Sequence, residues 1–196
     1  MIHVSKMTGK LEGFKAVNFN PLTTRFCNRM GQTPGTVCQH CYSRKMIKTY
    51  RQSCAKLFTR NAELMDGVVL DQCIPRFQPG ESVRFLAHGD MDTTAQFMSF
   101  CEICRVNPET HFTMWTKRTD IIALLQHEIP PNLTLIQSST HVNRPDQKAP
   151  GFHAVFTVYD AEHELPKGTQ HCNGQKCRDC MHCYRGAPTD ISERLR

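Results

Sequence analysis

Residues 83–104 read VRFLAHGDMDTTAQFMSFCEIC. Val83 to Ala87 are apolar and β-prone apart from Arg84, and they stop at His88-Gly89-Asp90, the punctuation of a strand running into a loop. Asp92 then stands where a helix N-cap belongs. Phe97, Phe100, Cys101 and Cys104 follow at spacings of three and four, which lays them on one helical face. The strand-then-helix unit repeats downstream: Phe112–Trp115 reads as a strand, Thr119 or Asp120 caps a helix over Ile121–His127, and Leu133–Gln137 is the next strand. A last strand, His153–Val158, precedes the tail. Upstream, Phe14–Asn20 alternates weakly and ends at Pro21, and residues 42–65 run without Gly or Pro as one long helix or two. Strands alternating with helices imply right-handed βαβ units and a parallel sheet. A closed eight-unit barrel takes about 250 residues, and this chain has 196. The expected fold class is therefore α/β, a partial (β/α) barrel or curled parallel sheet with a cysteine-rich C-terminal tail. No repeat and no Gly/Ser linker divides it, so 1–196 reads as a single domain with 165–196 as a metal-binding, cysteine-rich tail.

A hydrophobic share of 39% and a charged share of 21% exclude a disordered or low-complexity chain. Cysteine is the anomaly: 11 are present in a chain large enough to fold without staples. The opening MIHVSKMTGKLEGF carries Lys6, Lys10 and Glu12 and lacks the apolar run of an export signal. No stretch approaches the roughly 18 apolar residues of a membrane span. These features lead us to expect a cytosolic protein with no membrane partner. In a reducing cytosol an odd number of thiols points to metal or cluster ligands plus some buried free cysteines. The net charge of +6 gathers largely in RKMIKTYR (44–51) and the C-terminal segment. Such a face keeps a protein soluble and equally serves nucleic-acid contact.

The tail holds Cys172, Cys177, Cys180 and Cys183 as C-x4-C-x2-C-x2-C. Two-residue spacings let neighbouring thiolates converge on one centre, and both tetrahedral zinc and an iron-sulfur cluster accept four of them. Three consecutive close cysteines resemble ferredoxin runs more than the paired knuckles of zinc ribbons. A second group, Cys27, Cys38 and Cys41, lies in the loop after the first strand. Three thiols leave a coordination position open there for substrate chemistry, unless His40 or a tail cysteine closes a zinc site. Cys101 and Cys104 share an apolar helix face and read as buried free thiols, and the isolated Cys54 and Cys73 read as core residues. The strand ends should form one rim carrying Asp90, Lys117 and Ser138. On that rim Lys117 and Arg118 suit a carboxylate or phosphate and Asp90 suits an amino group.

Several segments, GKLEGF (9–14), VCQHCYSRK (37–45), FTRNAELM (58–65), HGDM (88–91), WTKR (115–118) and CNGQKCRDCMHCY (172–184), resemble in content and order the phage family called gene product 88. That resemblance implies a bacteriophage or prophage origin, hence the bacterial host cytosol, and it carries no activity. More loosely, the chain resembles radical S-adenosylmethionine enzymes, which hold an iron-sulfur cluster of the 4Fe-4S type on three cysteines after the first strand of a partial barrel. Many of them carry a further cluster near the C-terminus. Cys38, His40 and Cys41 match the end of that motif, with His40 where an aromatic residue is usual. His88-Gly89-Asp90 falls where those enzymes bind the cofactor's amino group. Ten residues separate Cys27 from Cys38, against three in that family.

The expected function is an iron-sulfur protein of radical or redox type that acts on a small-molecule or protein substrate. Asp90, Lys117 and Ser138 would bind S-adenosylmethionine. The two cysteine groups would share one cluster or hold two, and the core volume available to two favours sharing. The alternative is a non-enzymatic zinc protein that contacts nucleic acid or a host protein.

Overall fold

The computed structural model describes residues 1–195. Its sheet runs, in spatial order, β1 (Ser5–Lys6), β2 (Lys15–Val17), β3 (Ser82–Phe85), β4 (His111–Thr116), β5 (Leu133–Ser138), β6 (Ala154–Tyr159), β8 (Ile191–Arg194) and β7 (Gln170–His171). β1 pairs antiparallel with β2, and every other pairing is parallel. The result is an open, mostly parallel eight-stranded sheet of the expected class.

Six α-helices join these strands: α1 (Arg25–Gln32), α2 (Tyr42–Lys48), α3 (Gln52–Leu64), α4 (Thr94–Arg105), α5 (Thr119–Leu124) and α6 (Cys177–Cys180). The run over 42–65 is thus two helices, broken where Thr49 leaves helical geometry. α1 was not foreseen. It is only eight residues long, carries Gly31, and its first turn is capped from outside by Asp92. Asp92 does not cap α4: Thr93 does, its hydroxyl accepting from Gln96 N–H at 3.3 Å. The helix after β4 begins at Thr119 with no side-chain cap, so neither Thr119 nor Asp120 plays that part. Cys54 and Cys73 are half-buried rather than core residues, whereas Cys101 and Cys104 are fully buried on α4.

Strand side chains alternate between faces, and the two faces are covered differently. Val83, Phe85, Phe112, Met114, Leu133 and Leu135 pack with Phe97 and Phe100 of α4 in the larger core cluster, the Phe85 and Phe100 rings 4.6 Å apart. Their strand neighbours Arg84, Thr113, Trp115 and Ile136 face the other way. There Ile136, Ala154, Phe156 and Ile191 form a smaller cluster with Ala187, flanked by Trp115, Cys172 and Cys183. The tail therefore covers the sheet face that the helices leave open, and its last strand, β8, hydrogen-bonds into the sheet beside β6.

Candidate functional site

The first cysteine group lies in the segments that follow β2, and the tail group packs over the sheet face that the helices leave open. Cys27 sits in α1, Cys38 in a 3-10 turn over Val37–His40, and Cys41 immediately before α2. Arg44 staples these pieces together: its guanidinium donates to Pro21 O (2.8 Å) and to Asn28 Oδ1 (2.8 Å). Val37 N–H donates to Thr140 O at 2.9 Å, fastening the loop to the segment after β5. Burial pushes the Cys27 thiol up to about 12, and the nearby Asp90 carboxyl adds to the shift. Cys38 is also raised by burial, with the Lys117 charge pulling against it.

The tail wraps its four cysteines round a tight path. Cys172 follows β7, and Cys177 and Cys180 begin and end the single turn of α6. Met181 then takes φ +54°, the left-handed region a non-glycine residue seldom adopts, and reverses the chain so that Cys183 returns toward the sheet. Thr113 of β4 anchors the return, its hydroxyl donating to Cys183 O at 3.0 Å. Burial raises Cys183 to about 12. It raises Cys172 and Cys177 as well, in part countered by the charges of Lys10 on the first and Arg84 on the second. Lys10 Nζ donates to Cys172 Sγ at 3.1 Å and to Glu193 Oε1 at 2.7 Å.

One cavity of about 550 Å³ joins the two groups. Of the eleven cysteines, its walls include the seven that the sequence singles out and none of the other four. All eleven are free thiols. Among the described residues, no three His, Cys, Asp or Glu side chains stand close enough to grip a single metal ion.

The anticipated rim is present in the same cavity. Asp90 is buried, and its carboxylate accepts from Thr116 Oγ1 (2.6 Å), Met91 N–H (2.9 Å) and Lys117 N–H (2.9 Å). Burial raises its pKa, while those hydrogen bonds and the Lys117 charge pull the other way. Lys117 Nζ donates to Ser138 Oγ at 2.6 Å. The carboxylate thus ties the end of β3 to the end of β4, and Lys117 carries the tie to β5. Gly89 lets the chain make this turn: its φ is +77°, and a Cβ there would stand 2.5 Å from Phe19 O. His88 is stacked on Phe58 with ring centroids 5.7 Å apart, and its Nδ1 is 2.9 Å from Ser43 Oγ.

Sequence reasoning missed Lys10, Arg84, Trp115 and Tyr184, which surround the tail cysteines. For Arg84 a signal existed: a cation between Val83 and Phe85 must face opposite to them, away from the helix-packed core.

The fold and the site together define an open α/β-sheet protein with two thiol groups lining one cavity. The chain belongs to the phage family Gene product 88, whose sequence model matches residues 7–187. No curated protein and no solved structure matches it. Among the described residues no helix is long and apolar enough to cross a membrane.

Proposed function

We propose that the protein holds an iron-sulfur centre at the carboxyl edge of its sheet, with the four tail cysteines closing one cluster and the Cys27, Cys38, Cys41 triad offering a second, open set of ligands. The observation that carries this reading is the sorting of cysteines: seven residues from two distant segments line one cavity, and the other four do not. The donor set also fits. A tetrahedral zinc draws all its ligands to one point at about 2.3 Å from sulfur. A four-iron cluster instead spreads four thiolates over four separate iron atoms and accepts a wider set. Arg84 supplies positive charge beside the half-buried quartet, and Lys10, paired with Glu193, donates to Cys172 Sγ.

Asp90, Lys117 and Ser138 orient the cavity wall beside the triad. When bound, a cluster with one open iron would supply a site for S-adenosylmethionine, and Lys117 is the nearest lysine on that wall to meet its carboxylate. Anaerobic reconstitution tests the whole reading. A brown protein with broad absorption near about 400 nm and about eight iron atoms per chain is expected, about four if the groups share one cluster. A colourless protein with stoichiometric zinc overturns it. A reduced sample whose electron paramagnetic resonance spectrum ignores S-adenosylmethionine leaves the centre and removes the radical chemistry.

A second reading, nucleic-acid contact, is favoured by charge segregation. Residues 13–62 contain nine Lys and Arg and no Asp or Glu, against a whole-chain net of +6. Arg25 and Arg29 on α1, Lys45 and Lys48 on α2, and Lys56 and Arg60 on α3 are exposed, and no salt bridge reaches them among the described residues. Binding to an oligonucleotide that weakens steeply with salt, and more weakly in a Lys45→Glu/Lys48→Glu variant, supports this contact; salt-independent or absent binding rejects it.

A further inference from the structure

Three buried hydrogen-bond donors lie under the tail cysteines without an acceptor: Arg84 Nε, Trp115 Nε1 and Tyr184 Oη. Arg84 rises from the middle of β3 on the tail-covered face and is 8% exposed. Its guanidinium stacks 4.0 Å from the centre of the Trp115 ring, and among the described residues no carboxylate pairs with it. Trp115 in turn packs on Phe156, centroids 4.3 Å apart, and Tyr184 on Phe14 at 4.6 Å. Aromatic packing thus holds these donors in place, with the Arg84 guanidinium also acting on the Tyr184 hydroxyl. Burying an unpaired guanidinium is costly, so a site that keeps one ordinarily presents it to an anion. Once deprotonated by a bound centre, the sulfurs of the quartet would be those anions, and the Arg84 charge acts on both Cys177 and Cys183.

We propose that Arg84 is a positioning residue of the tail centre, donating with the Trp115 indole N–H and the Tyr184 hydroxyl to the sulfur atoms of a thiolate-held cluster and thereby raising its reduction potential. This rests on the iron-sulfur reading above. On reduction one electron enters the cluster from an external reductant and no bond breaks, so the negative charge on the sulfurs grows by one. A fixed cation and fixed N–H donors stabilise the more negative state more strongly, which is why hydrogen bonds to cluster sulfurs set potentials. Lys10 acts from the opposite side through Cys172, but it also pairs with Glu193, so its charge is largely spent. Among the described residues no salt bridge reaches Arg84.

The experiment is a redox titration of the full-length, anaerobically reconstituted protein with dithionite, followed by absorption and electron paramagnetic resonance, with iron counted in each sample. Arg84→Gln is expected to keep its iron and to need a more negative potential, with the reduced-to-oxidised ratio at fixed potential falling at least tenfold, about 59 mV for one electron. Arg84→Lys keeps the charge without the planar fork and falls between. Should Arg84→Gln fold poorly or lose iron, Tyr184→Phe removes one donor at constant ring shape and Trp115→Phe removes another together with the indole's second ring, and each is expected to shift the potential in the same direction by less. Iron retained with an unmoved potential in these variants overturns the role of Arg84 and leaves the cluster standing. A wild-type protein that takes up no cluster overturns both, and the wild-type spectrum alone distinguishes that case.

Discussion

Asp92 caps a helix that begins 67 residues before it: one carboxylate oxygen accepts the backbone N–H of Arg25 at 2.8 Å, and the other accepts that of Phe26 at 2.7 Å. The first-turn donors of α1 have no partner within the helix, and a carboxylate there also meets the favourable end of the helix dipole. Cys27 is the next residue. Removing the cap should cost about 1–2 kcal/mol, a fall in melting temperature of about 2–4 °C per kcal/mol for a chain of this size. The measurement is thermal unfolding of Asp92→Ala beside Thr93→Ala. Only the former should also reduce occupancy of the Cys27 site, and equal iron in the two variants would sever the link between Asp92 and that site.

Replacing any one of Cys177, Cys180 or Cys183 by Ser should lower metal content and stability together, because ligand binding contributes folding free energy. Cys101→Ala, in the helix-packed core, should leave metal untouched and cost about 1 kcal/mol of packing. Iron or zinc analysis alongside urea unfolding checks both halves. Unchanged metal in all three tail variants contradicts the tail assignment.

Gly89→Ala should be among the most damaging single-methyl changes in the chain. The position requires φ +77°, and the added Cβ would meet the backbone carbonyl of Phe19 at 2.5 Å. A cost above about 2 kcal/mol is expected, and it should be accompanied by altered ligand binding, because Asp90 follows directly. A variant of wild-type stability would mean that the β2 and β3 ends can separate freely.

His88 makes stability depend on pH in a defined window. Burial, helped by the charges of Arg51 and Arg84, lowers its pKa from 6.5 to about 4. Above pH 6.5 the imidazole is neutral in both folded and unfolded chains and contributes no slope. Between pH 6.5 and 4 the unfolded chain binds a proton that the folded chain refuses, so stability falls as pH falls, by up to an order of 3 kcal/mol. Below about 4 both states are protonated and the loss levels off. Urea unfolding between pH 4 and 7 should show this slope in the wild type and a flatter one in His88→Gln. Parallel curves would refute the assignment to His88.

The alternating strand-helix pattern, the cysteine spacings and the rim of Asp90, Lys117 and Ser138 were all legible in the chain, because each depends on local order: period two against period three and four, a turn signal after each strand, thiols clustered a few residues apart. The short strands β1 and β8 were not. Ser5-Lys6 and Ile191-Ser-Glu-Arg194 are too short and too polar to show a period, and pairing with neighbours distant in sequence makes them strands. The helix cap by Asp92 escaped for the same reason, since the nearest helix in sequence was the wrong one.

What residue order alone determined here is which side chains share a strand face or a loop, because those relations follow from backbone periodicity within a few residues. It placed Arg84 opposite to Val83 and Phe85 but could not say what would cover that face. Tertiary structure decided that the tail does, bringing Cys177 and Cys183 over Arg84 and Trp115 and setting the tail quartet across one cavity from Cys27, Cys38 and Cys41. Those relations span from 62 residues (Trp115 to Cys177) to 156 (Cys27 to Cys183), and they arise only when the sheet's second apolar face is buried, a collective gain that no local pattern records.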